Sequence, residues 1–491
     1  MSKKYLLGID NGGTTIKAAL FDVNGTQIAV ESANTPLLTP RPKFVQRGMQ
    51  SVRDVNFSLI SKLCSTYGGE NIIAVGVTGH GKGLYILDRN KKVLYDGIAS
   101  TDGRAMDYEQ KWVADGTAEK VYSVNAQKVL ACQPVALLRW LKDNERKIYN
   151  NIGYIFSVKD YVRFLLTGEI YNEYTDVSGS NLLNLRTNRY DLKLTELFGI
   201  PEMDEALPPI IRSDEVCGTV TAECASQTGL KAGIPVVGGM FDIDACAVAM
   251  GAYKPGDMCI IAGTWSINEY ISDHLIDNHT VSMNSVFCDP HYYLAEESSA
   301  TSTGNLSWFR EWMKNNTYAV MDEAVASLSP EKTGPCYLPF LYGSNESSLA
   351  KAAVVGLEIH HTDADLLRAV YEGVAFSHLT HINELLKSRP VPKCAKLAGG
   401  IVNSSVWSGI FADTLGFELE LTESTELGAK GAAMAAGIGA GLFNGYAQAI
   451  EACVQPGKII EPDAYRHEIY AEKYQNYRAV ADALAPVWQK L

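Results

Sequence analysis

The feature that most restricts this 491-residue chain is a turn after its first predicted strand. Residues 5–9 are mainly apolar and end at Asp10, before Asn11, two glycines, two threonines and a second mainly apolar run over residues 16–21. Such runs predict buried strands. Glycine permits positive φ and a close backbone approach to a ligand, and successive N–H groups form an anion-binding turn. The turn therefore suits phosphate, with Asp10 near a phosphate-bound metal ion. A tight hairpin with a buried, capped aspartate fits these residues equally well.

A second segment repeats this pattern in the other half of the chain. Residues 258–262 are apolar, Gly263 and Thr264 form a turn, and another strand-like stretch follows. Two such turns on similar domains would hold the two ends of a triphosphate across a cleft, although two hairpins also resemble each other by chance. The first turn is not a Walker loop, because β-forming residues follow its glycines. We call residues 11–15 the first phosphate loop and residues 263–265 the second phosphate loop.

Length, charge and cysteine usage restrict the class of protein. A chain of 491 residues allows two or more domains, and 46% hydrophobic with 20% charged residues is ordinary for a globular protein. A net charge of −13 without a basic run argues against nucleic-acid and anionic-membrane partners. No signal peptide or bilayer-spanning stretch is evident. Ten cysteines lack C-x-x-C pairs and zinc-ligand spacing, which favours a cytoplasmic location.

The first half of the chain alternates predicted strands and helices. Residues 72–77 predict a strand that leads into a glycine-rich loop, and residues 84–95 predict a hairpin around a polar turn. A longer apolar run over residues 234–241 predicts a strand that ends at Asp242, before a short helix over residues 245–250.

The second half adds a glycine pair between a strand and a helix. Residues 396–398 predict the strand, the glycines are residues 399 and 400, and Ser404 or Ser405 can cap the following amphipathic helix. N–H groups at that helix terminus can bind a nucleotide or serve only in the cap. Residues 426–436 predict a helix of small residues that packs closely against its neighbours.

Together these segments resemble the FGGY carbohydrate kinases of the actin-like, RNase H-like ATPase superfamily. The matching segments are residues 10–17, Asp242, Gly263–Thr264, residues 399–404, and a long C-terminal signature over residues 352–357 and 365–373. The resemblance implies an α/β fold with two RNase H-like domains around a deep interdomain cleft. Residues 1–248 would form the N-terminal domain, with the sugar site and the first phosphate loop, and residues 249–491 the C-terminal, nucleotide-binding domain. One departure is Gly13, which stands where threonine is usual.

The resemblance also implies roles for individual residues. Asp242 is the expected general base, with Asp244 as a weaker rival and a helix cap as the alternative role for Asp242. Asp10 and Asp242 are the expected Mg²⁺ contacts, and Lys17 is equally well explained as a solvated strand residue. The residues expected to bind ATP are Gly12, Gly13, Thr14, Thr15, Lys17, Gly263, Thr264, Gly304, Gly400, Asn403 and Ser404.

Sugar recognition requires polar groups that satisfy several hydroxyls. The candidates are His80, Lys82, Asp102 and Arg104, with Asp102 favoured by its family position. His80 also fits a structural imidazole, Lys82 a solvated loop charge, and Arg104 an ordinary surface loop.

The substrate is less clearly indicated than the reaction. Residues 79–84, 100–105, 238–242 and 338–345 resemble bacterial L-xylulose kinases, which implies a ketopentose such as L-xylulose. Ribulose, glycerol, another polyol and a keto-sugar acid such as 3-keto-L-gulonate stay open, although Gly81 and Lys82 replace the Arg-Glu pair of glycerol kinases. A non-catalytic actin-like ATP switch and a sugar-binding regulator are the other classes. The resemblance leaves a homo-oligomer open.

Overall fold

Two β-sheets of seven strands each form the framework on which the helices pack. The computed structural model describes residues 4–277, 279, 281–313, 317–347, 349–387, 389–422 and 426–490. The strands in these ranges are β1 (Tyr5–Asn11), β2 (Thr15–Asp22), β3 (Gln27–Asn34), β4 (Gln46–Arg47), β5 (Ile72–Gly79), β6 (Tyr85–Leu87), β7 (Gly97–Ile98), β8 (Tyr154–Phe156), β9 (Asn172–Glu173), β10 (Leu183–Asn184), β11 (Arg189–Tyr190), β12 (Ile210–Ile211), β13 (Val216–Thr219), β14 (Pro235–Val237), β15 (Met240–Phe241), β16 (Met258–Ala262), β17 (Ser266–Ser272), β18 (Met283–Val286), β19 (Tyr293–Ser299), β20 (Cys336–Leu338), β21 (Ala353–Val355), β22 (Cys394–Ala398), β23 (Glu418–Leu421) and β24 (Ile459–Ile460).

Helices follow or separate these strands along the chain. The α-helices of the described ranges are α1 (Met49–Tyr67), α2 (Met106–Ala114), α3 (Thr117–Asn125), α4 (Pro134–Asn144), α5 (Arg146–Tyr149), α6 (Val158–Thr167), α7 (Tyr174–Ser178), α8 (Leu192–Leu197), α9 (Ala222–Thr228), α10 (Asp242–Met250), α11 (Gly304–Trp312), α12 (Tyr318–Ala326), α13 (Asp363–Leu386), α14 (Ser405–Leu415), α15 (Leu427–Gly439), α16 (Tyr446–Cys453) and α17 (Ala464–Leu484). Short 3₁₀ turns occupy Gly69–Asn71, Pro201–Ala206, Gly400–Asn403 and Ala485–Lys490. No helix in this part of the chain is both long and apolar enough to cross a bilayer.

The first sheet confirms the strand–turn–strand prediction for the start of the chain. Its order is β13-β14-β5-β1-β2-β3, with β15 also paired to β5. Strand β1 is antiparallel to β2 and parallel to β5, which places Asp10 opposite Lys17 and beside Thr78. Because β15 is also parallel to β5, the carboxyl ends of β1, β5 and β15 meet at one edge of the sheet, where ligands bind in open α/β sheets. Asp10 and the residues that follow β5 and β15 therefore lie near each other.

The second sheet has the same local arrangement. Its order is β18-β19-β17-β16-β22-β23-β24. Strand β16 is antiparallel to β17 and parallel to β22, as β1 is to β2 and β5. The internal repeat suggested by the sequence thus has a structural counterpart. The carboxyl ends of β16 and β22 bring Gly263 and Gly399 to the same edge: a Cβ on Gly399, where φ is 100°, would lie 2.3 Å from the Ala262 carbonyl oxygen.

Helix α15 joins the two halves of the molecule, as its small residues allow. It packs against β1, β5 and α10, and a shared core contains Leu6 and Ala74 from the first sheet together with Cys259 and Ala398 from the second. Helix α15 belongs by sequence to the predicted C-terminal domain, residues 249–491, yet it packs against strands β1 and β5 of the first sheet. The predicted domain boundary between residues 248 and 249 itself falls inside α10.

Two predicted elements differ from the structure. The strand predicted over residues 234–241 is broken into β14 and β15, because Gly239 has φ of 75° and leaves no space for a Cβ beside the Val77 carbonyl oxygen. Asp242 is consequently the first residue of α10 rather than the end of a strand. The hairpin predicted over residues 84–95 forms but is short. An antiparallel bridge joins Leu87 to Val93, the Asp88 N–H donates to the Lys92 carbonyl oxygen and the Leu94 N–H to that of Ile86, while β6 pairs as a strand with β8.

Candidate active site at the carboxyl edges of the two sheets

The first phosphate loop connects β1 to β2 and is held from below by a buried arginine. The Nη2 atom of Arg47 donates hydrogen bonds to the carbonyl oxygens of Gly12, at 2.7 Å, and Gly13. Neither glycine has positive φ, so the expected left-handed conformation is not used here. Thr14 is exposed, whereas the Thr15 hydroxyl donates to Asn34 Oδ1 at 3.0 Å. The loop therefore exposes Gly13 and Thr14, while Thr15 is partly engaged within the sheet.

Asp10 lies beneath this loop with an unsatisfied oxygen. Its Oδ1 atom is buried and has no hydrogen-bond partner among the described residues. Burial raises the pKa of Asp10 to about 6, with Lys17 lowering it and Glu426 raising it. Lys17 itself forms an ion pair with Glu426 at 2.9 Å, so a phosphate would have to share this lysine. A carboxylate oxygen without a partner fits a role as a ligand, direct or through water, for a hydrated Mg²⁺ ion.

Asp242 is partly exposed, and its carboxyl lies among several other acidic groups. Burial raises its pKa well above 3.8, the charges of Asp10, Asp176 and Glu296 raise it further, and Lys82 lowers it. The structure thus brings the predicted base near both the predicted metal contact and a predicted sugar contact. The rival Asp244 is completely buried, and neither of its carboxylate oxygens has a partner in the described ranges. Its burial supports Asp242 as the residue that a substrate can reach.

His80 and Lys82 follow β5 and lie beside the segment that carries Asp242. A Cβ on Gly81 would lie 2.5 Å from the Phe241 ring, and Lys82 Nζ is 5.9 Å from the centroid of the same ring. His80 is buried, and its Nε2 atom lies 3.3 Å from the Tyr85 hydroxyl. Burial, followed by the charge of Arg47, lowers the pKa of His80 to about 4, so the imidazole is neutral near pH 7.

Asp102 and Arg104 are enclosed by the fold, and neither side chain reaches a surface. Both are completely buried in an ion pair with an Nε–Oδ1 distance of 2.8 Å. Asp102 also accepts a hydrogen bond from the Val45 N–H, and the guanidinium of Arg104 lies 4.1 Å from the Phe44 ring centroid. Their partners are thus supplied by the fold. Direct contact with a sugar would require this ion pair to open, and their predicted role stays a prediction.

The second phosphate loop lies against the start of α11. The Thr303 N–H and hydroxyl both donate to the Gly263 carbonyl oxygen, at 2.9 and 2.6 Å. The Ser302 N–H donates to the Thr264 carbonyl oxygen, and a Cβ on Gly304 would lie 3.5 Å from that same oxygen. Gly304, a weak candidate in the sequence, is therefore brought to this loop.

A cavity adjoins this loop and contains the predicted nucleoside contacts. Gly400, Asn403 and Ser404 line it, together with Thr303, Leu306, Ser307, Tyr318, Asp322, Tyr371 and Trp407. Ser404 caps α14 by accepting from the Trp407 N–H, as predicted, and its hydroxyl donates to Asp322 Oδ1 at 2.8 Å. Flat aromatic walls with a few placed polar groups are typical of a nucleobase-sized pocket.

The sequence interpretation missed several residues of this site. Arg47, Asp176 and Glu296 lie outside every recognised motif, and only the folded chain places them near the predicted base and loop. Tyr371 is different, because it belongs to the C-terminal signature; its hydroxyl donates to Asp322 Oδ1 at 2.7 Å in the nucleoside cavity. The sequence therefore identifies Tyr371 as part of a signature, but it does not predict the hydrogen bond between Tyr371 and Asp322.

Adding the side chain that Gly13 lacks provides a mild test of the first loop. A Cβ at this position meets no atom within 4 Å, so Gly13→Thr fits without strain. A new hydroxyl–phosphate bond could improve the KM for ATP by up to about tenfold. Because the N–H groups of Gly13 and Thr14 are already exposed and without partners among the described residues, we expect a change below about threefold in KM and kcat. Steady-state kinetics measure it, and a larger gain would show that the hydroxyl matters.

The sequence matches both domains of one kinase family. The N-terminal domain of the FGGY family of carbohydrate kinases matches residues 5–249, and the C-terminal domain matches residues 258–440. An L-xylulose/3-keto-L-gulonate kinase of Escherichia coli K12 is 37% identical over 98% of this chain and 97% of its own. A probable L-xylulose kinase of Haemophilus influenzae is 35% identical over 98% of this chain and 99% of its own.

Solved structures support the same fold. A ligand-bound xylulose kinase from Lactobacillus acidophilus superposes with a TM-score of 0.93 at 22% identity, over 99% of each chain. The family resemblance, the two-domain α/β fold and the enzyme class predicted from the sequence are therefore confirmed. The chain belongs to the FGGY family of carbohydrate kinases and is an ATP-dependent sugar kinase.

Proposed function

We propose that this kinase phosphorylates a hydroxyl of a ketopentose such as L-xylulose, with Asp242 as the general base. The observation that carries the proposal is the position of Asp242, at the start of α10 and at the edge of the first sheet, coupled to Asp10 and Lys82. A general base works best when its pKa lies near the working pH. The raised pKa of Asp242 therefore suits removal of the proton from a sugar hydroxyl.

The sugar is proposed to lie between Asp242 and the loop that follows β5. His80 is neutral near pH 7 because of its lowered pKa, so it can both donate and accept hydrogen bonds. Lys82, partly exposed beside Phe241, supplies donors for hydroxyl or carbonyl oxygens. The Asp102–Arg104 ion pair is assigned a supporting role, in which it fixes the loops that surround this region.

The nucleotide is proposed to lie across the second sheet, with its base in the cavity lined by Gly400, Asn403 and Ser404. Its phosphates would then meet Gly263 and Thr264 on one side and the first phosphate loop on the other. Phosphoryl transfer depends mainly on alignment and on stabilisation of charge at the transferred group. Backbone N–H groups of both loops supply that stabilisation.

Asp10 and Asp242 are the proposed protein contacts of Mg²⁺. No group of three or more His, Cys, Asp or Glu side chains suited to a metal ion occurs in the described ranges. Two carboxylates that complement phosphate oxygens and water fit this ion, which usually keeps several waters. When bound, Mg²⁺ neutralises charge on the phosphates.

The proposed substrate class takes its support from the two bacterial relatives, whose descriptions share L-xylulose. The description of the Escherichia coli relative also includes 3-keto-L-gulonate. Lys82 at the site edge is compatible with a carboxylate, so a keto-sugar acid is the second candidate. The two candidates differ in charge, and a kinetic comparison separates them.

A coupled ATP-dependent kinase assay tests the proposal. The panel is L-xylulose, D-xylulose, L-ribulose, D-ribulose, 3-keto-L-gulonate and glycerol. We expect the largest kcat/KM for L-xylulose, with 3-keto-L-gulonate as the nearest competitor and little turnover of glycerol. Turnover of glycerol without turnover of any ketose or keto acid would overturn the substrate assignment.

The Mg²⁺ requirement provides a pH-dependent prediction. Asp10 has a pKa raised to about 6, and only its ionised form is a good metal ligand. Relative to Asp10→Asn, which keeps Asp242, we expect the apparent Mg²⁺ affinity of the wild type to be constant above this pKa and to fall by about tenfold for each pH unit below it. Mg²⁺ titrations at fixed ATP concentration measure this dependence. Asp10→Asn is the control, because changes in ATP protonation affect both proteins; equal pH profiles would contradict the assignment of Asp10.

A further inference from the structure

Arg47 is a buried cation directly under the first phosphate loop. It is the second residue of β4 and is completely buried. Its Nη2 atom donates to the carbonyl oxygens of Gly12 and Gly13, while its Nε and Nη1 atoms have no hydrogen-bond partner of good geometry in the described part of the chain. The neutral Tyr85 hydroxyl lies beside it, and the charge of Arg47 opposes the rise in the Tyr85 pKa that burial causes. No carboxylate in the described part forms an ion pair with Arg47. An unpaired buried charge opposes folding, so its location directly under the first phosphate loop calls for a physical reason.

The two hydrogen bonds of Arg47 fix the direction in which the loop presents its N–H groups. In a planar trans peptide, the carbonyl oxygen of one residue and the N–H of the next point to opposite sides. Because the carbonyls of Gly12 and Gly13 point down to Arg47, the N–H groups of Gly13 and Thr14 point away from it. Both residues are exposed, and neither N–H donates a hydrogen bond to another described residue. Two N–H donors thus point outward from the loop, on the side opposite Arg47.

We propose that Arg47 is a positioning residue for phosphoryl transfer, which directs the N–H groups of the first phosphate loop at the phosphates of ATP and places uncompensated positive charge beneath them. The proposal rests on the proposed function, because it assumes that this loop binds phosphate. The protein has a net charge of −13, and Asp10 and Asp242 add local negative charge that repels a polyphosphate. A cation held in a low-dielectric environment under the loop opposes this repulsion more effectively than an exposed one. The buried charge of Arg47 opposes folding in the free protein and favours binding of the negatively charged phosphates.

The proposal predicts separate effects on stability and on nucleotide binding. In Arg47→Met the unpaired charge is removed, so the melting temperature without ligand should not fall. The affinity for ADP, measured by calorimetry without sugar, should fall at least about tenfold, because the N–H groups lose their fixed direction and the charge is lost. The KM for ATP should rise similarly, while the KM for the sugar stays within about threefold of wild type. Arg53→Met, which removes a partly exposed arginine of α1, is the matched control and should change neither.

Arg47→Lys keeps the test decisive even where the methionine variant fails to fold. Lysine retains a charge but not the guanidinium geometry. If both variants fold, the ADP affinity of Arg47→Lys should lie between those of wild type and Arg47→Met. If only Arg47→Lys folds, its ADP affinity should be severalfold below that of wild type. Wild-type ADP affinity in either folded variant would overturn the inference, as would an equal rise in the KM values for ATP and sugar. If the wild-type protein itself fails to bind ADP, the proposed function is wrong and the inference is wrong with it.

Discussion

Replacing Asp242 with asparagine should lower kcat by about 10²–10⁴-fold, the usual contribution of a general base. With Mg²⁺ at saturation, which offsets the loss of one proposed metal contact, the KM for ATP should stay within about threefold of wild type, because the proton is removed from the sugar and not from the nucleotide. Asparagine preserves the size of the side chain at the start of α10 but cannot accept the proton. Steady-state kinetics with the best sugar of the panel measure the effect. Retention of more than about a third of the wild-type kcat by a folded variant would remove Asp242 as the base.

The same substitution should stabilise the protein at high pH. The pKa of Asp242 is raised, chiefly by burial and then by the charge of Asp10, so ionisation opposes folding. The penalty is absent below the unfolded-state pKa of about 3.9, grows as pH rises towards the folded-state pKa, and is constant above it. Asp242→Asn should therefore melt at a higher temperature than wild type at about pH 8, with the difference disappearing towards about pH 4.

Asp115→Asn is the control with the opposite sign. Hydrogen bonds from Thr117 lower the pKa of the exposed Asp115 carboxyl, so its ionised form favours folding above the unfolded-state pKa. Asp115→Asn should therefore lose a little stability at neutral pH and keep its kcat. A lower melting temperature for Asp242→Asn than for wild type at about pH 8 would contradict the electrostatic description of this site.

Much of this site could be predicted because its backbone features are local in sequence. An apolar run, a pair of glycines and a second apolar run determine the hairpin that carries Gly12 and Gly13. A similar pattern with the single glycine Gly263 forms the hairpin of β16 and β17. Helix caps are equally local, and Ser404 caps α14 as its position suggested. The mutual placement of the two loops followed from the family resemblance and not from these patterns.

Side-chain partners were less predictable because they depend on long-range contacts. Asp102 was favoured as a sugar ligand. In the structure it accepts a hydrogen bond from the N–H of Val45, 57 residues away, and it is enclosed in an ion pair with Arg104. Arg47 contacts Gly12 across 35 residues, and no local pattern distinguishes it from a surface arginine. The break before Asp242 likewise depends on Val77 of a neighbouring strand. All three features depend on residues that are distant in the sequence and become neighbours only in the folded chain.

The helix that joins the two sheets offers the second large effect. A Cβ on Gly431 of α15 would lie 2.1 Å from the Ala245 carbonyl oxygen and 2.7 Å from its Cα atom. Both are backbone atoms of α10, the helix that begins at Asp242, so one helix would have to move. Overpacking of this kind costs about 1–3 kcal/mol, and here it also displaces the proposed base. We expect Gly431→Ala to unfold at a lower urea concentration and to lose at least about tenfold in kcat.

Gly409→Ala is the matched control for that experiment. Gly409 lies inside α14, a Cβ there meets no atom within 4 Å, and its φ is not positive. Replacing a glycine inside a helix with alanine should stabilise the protein by about 0.5–1 kcal/mol, with kcat unchanged. The opposite signs of the two glycine-to-alanine changes separate close packing from helix propensity. If Gly431→Ala gained stability as Gly409→Ala does, contact between α10 and α15 could not be what holds Asp242 in place.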